Sequence, residues 1–261
     1  MSSRSRIISY GKCFLCGGTF AKNTIGRHLK NCAPAHDTGR GKPVRLFHLS
    51  VEGRYAPYYW MHLEIPASAT LADLDDFLRA IWLECCGHLS AFTIDNISYE
   101  LDTGMVDAMW KEFFGPIRPT RHMNVKLYNV LSVGKVFSHE YDFGTTTELK
   151  LKVVGERQGS RPIKGVRVLA RNYAPVFTCI KCGQPARWVY TWGEYETYCD
   201  AHAREHEDWG EGFLPLVNSP RVGKCGYTGP QDKALHLKSP RRSSFEIRSE
   251  DTEVRTHLHT G

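Results

Sequence analysis

Long apolar runs are missing from this 261-residue sequence, and none approaches the ~18 residues that a membrane-crossing helix needs. The opening segment, Met1 to Arg6, has no apolar stretch. No secretory signal is therefore expected, and the chain is placed in the cytoplasm with no membrane partner. Catalytic signatures are also missing. There is no G-x-S-x-G elbow and no Walker phosphate loop. Asp142-Phe143-Gly144 lacks the companion motifs of a kinase. His62-Leu63-Glu64 has the H-x-E pattern of zinc deaminases, but Thr178 rather than proline precedes Cys179. The expectation is a protein that is not an enzyme, with an enzyme of unrecognised site as the alternative. Acid is scarce at one end. Residues 1–45 hold nine Lys or Arg and a single acid, Asp37, for a net +8. The remainder holds 25 basic and 27 acidic residues. A positive head on a near-neutral body suits a polyanionic partner, although a solvated tail is the plainer alternative.

The nine cysteines are an odd number, and two pairs of them are spaced C-x-x-C. In an intracellular chain that pattern favours metal ligation over disulfides. In the first pair, Cys13 and Cys16 are followed by Gly17 and Gly18, and later by His28 and Cys32. Residues four apart on a helix share a face, so His28 and Cys32 can reach an ion held by the two cysteines. Phe20 and Ile25 are the apolar residues expected beneath it, and Asn23 or Thr24 is expected to cap the helix. Four N/S ligands make a closed structural zinc site. The segment resembles the Cys-Cys-His-Cys zinc fingers, which bind DNA, RNA or protein. Arg27 and Lys30 would lie on its helix, just after Lys22, with Arg4, Arg6, Lys12, Arg40 and Lys42 around them. These eight are the candidate phosphate contacts.

Residues 35–43 look like a linker, and residues 44–171 read as a core. Phe47, Leu49 and Val51 alternate, as do Tyr59, Met61, Leu63 and Ile65. Thr70 with Asp73 approximates a capping box. It opens an apolar helical face running from Leu71 through Leu74, Phe77, Leu78, Ile81 and Trp82 to Cys85, with Gly87 as its C-cap. Cys85 reads as core, Cys86 as partly exposed, and His88 as a buried, hydrogen-bonded histidine. Further strand patterns lie at Phe92–Ile94, Ile97–Leu101, Phe137–Phe143, Leu149–Val153 and Val166–Val168. The fold class expected is α+β: a mostly antiparallel sheet with one main packed helix, a β-grasp being one candidate arrangement.

The stretch from Thr70 to Trp82, through Cys86-Gly87-His88-Leu89-Ser90-Ala91-Phe92, to Tyr141-Asp142-Phe143-Gly144 resembles the Ri-plasmid open-reading-frame-three-like family. Some members of that family carry transposon-passenger or resolvase-like labels. The resemblance covers about residues 44–171. Thr145, Thr147 and Leu149 stand here where many members have Asp, Trp and His. It implies a fold rather than an activity.

A second module is expected over residues 172–228. Cys179 and Cys182 form another knuckle before Gly183, and Cys199 with His202 repeats the two-residue spacing. C-x-x-C, a hairpin, then C-x-x-H is the zinc-ribbon arrangement. His206 or Cys225 is the alternative ligand. Trp188, Tyr190, Trp192, Tyr195 and Tyr198 would form the aromatic hairpin. The acids Asp200, Glu205, Glu207, Asp208 and Glu211 make a face suited to a protein partner. Residues 229–261 read as a flexible tail. The expected organisation is thus a basic finger (1–34), linker (35–43), core (44–171), zinc ribbon (172–228) and tail, with two zinc ions per chain. The expected function is an adaptor whose residues 1–45 bind nucleic acid or a ribonucleoprotein, such as a ribosome or a mobile-element complex. A protein–protein adaptor with purely structural zinc is the alternative.

Overall fold

The computed structural model describes residues 9–37, 41–101, 119–160, 165–230 and 246–247. It is a mixed α+β fold dominated by one large, mainly antiparallel sheet. The chain begins with a hairpin, β1 (Tyr10–Cys13) and β2 (Thr19–Ala21), and runs directly into α1 (Lys22–Ala35). Two long strands follow, β3 (Pro43–Gly53) and β4 (Trp60–Pro66), then α2 (Leu71–Leu78), which widens into a π-helical turn at Arg79–Leu83. Next come β5 (Ser90–Ile94), β6 (Ile97–Glu100), β7 (Thr120–His122), the one-turn α3 (Leu127–Val130), β8 (Val136–Tyr141), β9 (Thr147–Ser160) and β10 (Arg167–Asn172). The last part holds β11 (Val176–Phe177), β12 (Trp188–Tyr190), β13 (Thr197–Tyr198), α4 (Asp200–Arg204), β14 (Phe213–Pro215) and β15 (Glu246–Ile247).

Ten strands join in the order β2-β1-β10-β4-β3-β9-β8-β5-β6-β7, and β6–β7 is the parallel pair among them. The finger is continuous with this sheet, because β1 pairs with β10 along Gly11–Cys13. The expected linker overlaps the last residue of α1 and the first of β3. The expected hairpin after Ile94 is present. Asp95 and Asn96 both have positive φ, as a two-residue turn matched to strand twist requires. β12, β13 and β14 form a separate three-stranded sheet, and β11 pairs with β15. Apart from residues 229–230 and 246–247, the expected tail lies outside the described residues.

Alternation along the central strands builds two faces. Phe47, Leu49 and Val51 of β3, Met61, Leu63 and Ile65 of β4, and Leu149, Leu151 and Val153 of β9 are all buried in one apolar cluster. Leu71, Leu74, Leu78, Ile81, Trp82 and Leu83 of the helical segment pack on it. The Thr70–Asp73 capping box starts this helix, with each side chain bonded to the other's backbone N–H (2.7 and 3.1 Å). Asp75 and His139, both fully buried, fasten it to β8 through a 2.6 Å contact. The helix does not continue to Cys85 as its apolar spacing suggests. Glu84 turns extended, and its carboxylate takes the N–H of Gly87 (2.6 Å) and the Tyr141 hydroxyl (3.0 Å). Leu83 enters the core, and Cys85 is left half-buried.

The opposite face is polar and carries α1. Lys22 pairs with Glu52 and donates to Pro57 O (2.7 Å). Gly26 lies against His62, where an added Cβ would stand 3.5 Å from Cε1. Past the helix end, Arg157 binds both oxygens of Asp37 (2.6 and 2.9 Å) and both of Glu64 (2.6 and 3.0 Å). Trp60 and Leu169 join Ile25 and Leu29 in a small apolar cluster at the finger's base.

His48 Nε2 and His62 Nδ1 are 2.9 Å apart in this polar layer, so one ring donates and the other, which is neutral, accepts. Burial, with Arg157 and Lys30 nearby, lowers His48 to about 4. Burial, with His48 and Lys22, lowers His62 to about 3. An unfolded histidine titrates near ~6.5, so below that pH the unfolded chain holds more protons than the folded one. The pair's contribution is complete above about pH 6.5 and is lost as pH falls toward about 3. The His48→Gln, His62→Gln double variant should show a flatter pH dependence of urea-unfolding free energy between pH 6.5 and 4.5 than the wild type. Parallel curves would refute this.

Candidate metal centres

Two of the Cys/His sets are built by the same local device. At the end of β1 the N–H of Cys13 donates to Gly18 O (2.8 Å), and the N–H of Gly17 returns to Cys13 O (2.9 Å). In the later module the N–H of Cys179 donates to Gln184 O (2.7 Å), and that of Gly183 returns to Cys179 O (2.8 Å). Gly17 and Gly183 both have positive φ (77° and 69°), which lets the chain turn away directly behind the second cysteine of each knuckle. That turn aims a further N–H back at the sulfur, from Gly18 onto Cys16 and from Gln184 onto Cys182.

In the first set α1 supplies His28 and Cys32, one helical turn apart. Cys13 and Cys32 sulfurs are 3.9 Å apart, and Cys16 Sγ is 3.4 Å from His28 Nε2. Phe20 stacks on the His28 ring at 3.9 Å and fixes its plane. α1 is not capped by Asn23 or Thr24. Its N-cap is Ala21, because β2 leads straight into the helix, and the Thr24 hydroxyl donates to Ala21 O (3.0 Å). In the second set Cys199 is the N-cap residue of α4, and His202 lies within that helix. Cys182 and Cys199 sulfurs are 3.8 Å apart, while His202 Nδ1 is 3.5 Å from Cys179 and 3.3 Å from Cys199.

A tetrahedral zinc ion with bonds of ~2.3 Å to sulfur and ~2.0–2.1 Å to nitrogen implies ligand edges of about 3.8 Å (S–S) and about 3.5 Å (S–N). Both sets match those edges, and in each all four ligand atoms lie within 4.8 Å of one another. Each set can therefore hold one metal ion. The thiols feel the crowding. Burial, then the adjacent Cys13 and Cys16, pushes Cys32 up to about 12. Cys179 is also pushed up by burial, but N–H groups of Cys199, Lys181 and Cys182 outweigh this and bring it down to about 6. Three sulfurs this close resist ionising together unless a cation stands between them.

A third set was not expected. Cys85, Cys86, His88 and Cys225 also place their ligand atoms within 4.8 Å of one another. The sets that could hold a metal ion among the described residues therefore number three rather than two. Cys225 belongs here and not with the ribbon ligands, since the segment after β14 returns to the end of the π-helical turn. His88, expected to be buried, is partly exposed and faces Cys86 and Cys225 at 3.0 and 3.1 Å. His206 joins no set. It lies beyond the end of α4, its ring packed on Tyr190 (4.5 Å) and Phe213 (5.2 Å), and its Nδ1 accepts the N–H of Asp208 (3.2 Å). One sequence signal marks two of its four ligands, Cys86 and Cys225. The dipeptide Cys-Gly occurs four times: Cys16-Gly17, Cys86-Gly87, Cys182-Gly183 and Cys225-Gly226. All four glycines have positive φ.

The candidate phosphate contacts divide. Arg27 and Lys30 stand exposed on the outer side of α1, Lys42 is exposed ahead of β3, and Lys12 is half-buried in β1. Lys22 is turned inward to Glu52. Arg4, Arg6 and Arg40 lie outside the described residues. On the ribbon, Asp200 accepts from Trp188 Nε1 (2.8 Å) and Asp208 from the Tyr190 hydroxyl (2.5 Å). Glu205, Glu207 and Glu211 are exposed. Among the described residues, no helix is long and apolar enough to cross a membrane.

Cys179→Ser should lower the metal content by one ion per chain and melt β12–β14, while amides of β3, β4 and β9 stay protected. A structural zinc site supplies apparent binding energy of about 10–16 kcal/mol, far more than so small a sheet can replace. Elemental analysis together with hydrogen exchange tests this, and unchanged metal content would refute it.

No family model matches this sequence, and no curated protein matches it. Among solved structures, the chain is similar to the protein of unknown function MM3350 from Methanosarcina mazei Go1. The match has 16% identity and a TM-score of 0.41, over 50% of this chain and 70% of that one. A likeness that weak carries no functional argument, and none of these comparisons bears on the resemblance to the Ri-plasmid open-reading-frame-three-like family.

Proposed function

We propose that this protein is a non-enzymatic zinc-binding adaptor whose N-terminal finger binds nucleic acid, alone or within a ribonucleoprotein. The observation that carries this reading is the outer face of α1. Its inner side is fully engaged, with Ile25, Leu29, Cys32 and Ala33 buried and His28 turned to the ligand set. Its outer side presents Asn23, Thr24, Arg27, Lys30 and Asn31, all exposed. The helix contains no acidic residue. Arg27 and Lys30 form no ion pair among the described residues, whereas Lys22 and Arg45 are paired with Glu52 and Glu156. A rigid helix with unpaired cations and small polar groups on one side suits phosphate oxygens.

The donors support zinc in the first two sets. Three thiolates and one imidazole at tetrahedral edges are soft ligands of the kind zinc takes, and four protein ligands leave no open position for a reacting water. The ions are read as structural, which is the ground for the non-enzymatic proposal. The exposed Glu205, Glu207 and Glu211 favour a second reading in which the ribbon end takes a protein partner.

Binding through phosphates releases counterions, so affinity should fall steeply with salt. With about four or five phosphates engaged, the log–log slope should be roughly −3 to −4.5. Arg27→Ala with Lys30→Ala should flatten that slope by about one to two units while the metal content stays unchanged. Filter binding across a salt series measures both. Equal slopes for variant and wild type would show that the outer face of α1 is not the contact.

A further inference from the structure

We propose that Cys85, Cys86, His88 and Cys225 form a third zinc site, which staples the segment 219–227 to the core. The inference extends the zinc reading above and is independent of nucleic-acid binding. Cys86 Sγ is 3.6 Å from Cys85 Sγ and 3.8 Å from Cys225 Sγ, which matches the about 3.8 Å edge of a tetrahedral thiolate site. His88 Nε2 approaches Cys86 at 3.0 Å and Cys225 at 3.1 Å, somewhat inside the about 3.5 Å edge. Vicinal cysteines chelate poorly on a regular helix. Here the helical segment ends at Leu83, and the extended Glu84 frees both sulfurs to face one point.

Backbone conformation gives a second, independent observation. Cys86 and Cys225 are each followed by a left-handed glycine, Gly87 (φ 79°) and Gly226 (φ 67°), as Cys16 and Cys182 are in the other two sets. Cys225 itself has φ 44°, a strained conformation for a non-glycine residue that persists where its surroundings impose it.

The surroundings are arranged to support a thiolate-rich ion. Arg221, fully buried, sets its Nη2 3.4 Å from Cys85 Sγ and 2.7 Å from Asp142 Oδ2. The Asp142 carboxylate is already occupied by Arg221 and by the N–H groups of Gly144 (3.1 Å) and Thr145 (3.2 Å), so it orients the site and does not complete it. The N–H groups of Cys85 and His88 both donate to the Tyr141 hydroxyl oxygen (3.4 and 3.3 Å), which fixes the backbone between the ligands.

This site differs from the others in reach. The first set joins residues 19 or fewer apart and the second residues 23 or fewer apart, whereas His88 and Cys86 meet Cys225 across 137 and 139 residues. An ion here closes a long loop and holds the segment that follows the ribbon. That segment plugs into the sheet end through Ser219 Oγ to Trp82 O (2.6 Å) and Lys224 Nζ to Thr146 O (2.7 Å). The third set also has no buried ligand, whereas each of the others has at least one, so its ion should exchange first.

Native mass spectrometry of the full chain should give three zinc ions for the wild type and two for Cys225→Ser. In hydrogen exchange, Cys225→Ser should lose protection over 219–227 while β1, α1 and β12–β14 keep theirs. Titration of the wild type with EDTA should release one ion ahead of the other two, and that fraction should be missing from the variant. If the variant does not fold, alkylation of the wild type decides. Cys86 and Cys225 should be protected from iodoacetamide in the loaded protein and modified once the first ion has left. Two ions in the wild type, three in the variant, or Cys86 and Cys225 alkylated at full loading would each overturn the inference. A wild type without zinc would overturn the zinc reading as a whole.

Discussion

Strict alternation along β3 and β4 is the constraint on which the rest of the structure depends. These strands pair from Leu46–Pro66 to Glu52–Trp60 and place Phe47, Leu49, Val51, Met61, Leu63 and Ile65 on one side. A one-residue slip would turn that set out to water. The same alternation forces His48, Glu52, His62 and Glu64 to the opposite side, and this polar face receives α1. β4 is covered on both sides, which is why His62 and Glu64 are buried and need partners. His48 partners His62, and Arg157, which also binds Asp37, partners Glu64.

The ligand sets that could hold a metal ion span two ranges in this architecture. The finger and the ribbon are too small to hold a sufficient apolar core, and an ion held by either set would take over much of that task. Each uses the same knuckle, with a left-handed glycine immediately behind the second sulfur. The third set sits where α2, the end of β8 and the returning segment 219–227 converge. There the buried Arg221–Asp142 pair already draws the chain together.

Charge and packing together decide which basic residues remain for a partner. The +8 of the first 45 residues is reduced by internal pairs, since Lys22 and Arg45 face carboxylates of the sheet. Arg27 and Lys30 stay exposed and form no ion pair among the described residues. Anchoring of the finger by β1 and Trp60 gives that face a fixed orientation relative to the core.

Composition and spacing alone determined the α+β class, the Thr70–Asp73 start of α2, the Asp95–Asn96 hairpin and the two local ligand sets. Each depends on residues within about two dozen positions, where helical and strand periods dictate direction. Tertiary structure decided the rest. The apolar spacing through Cys85 extended the helix too far, because the Glu84 carboxylate, engaged by Tyr141 from β8, ends it earlier. Lys22 changed from a candidate contact to an internal partner once Glu52 was brought beneath α1. Cys225 found its partners 137 and 139 residues away, a distance over which no period carries information. The four Cys-Gly pairs were visible in the sequence, but which of them meet at one point is set by how the chain closes on itself.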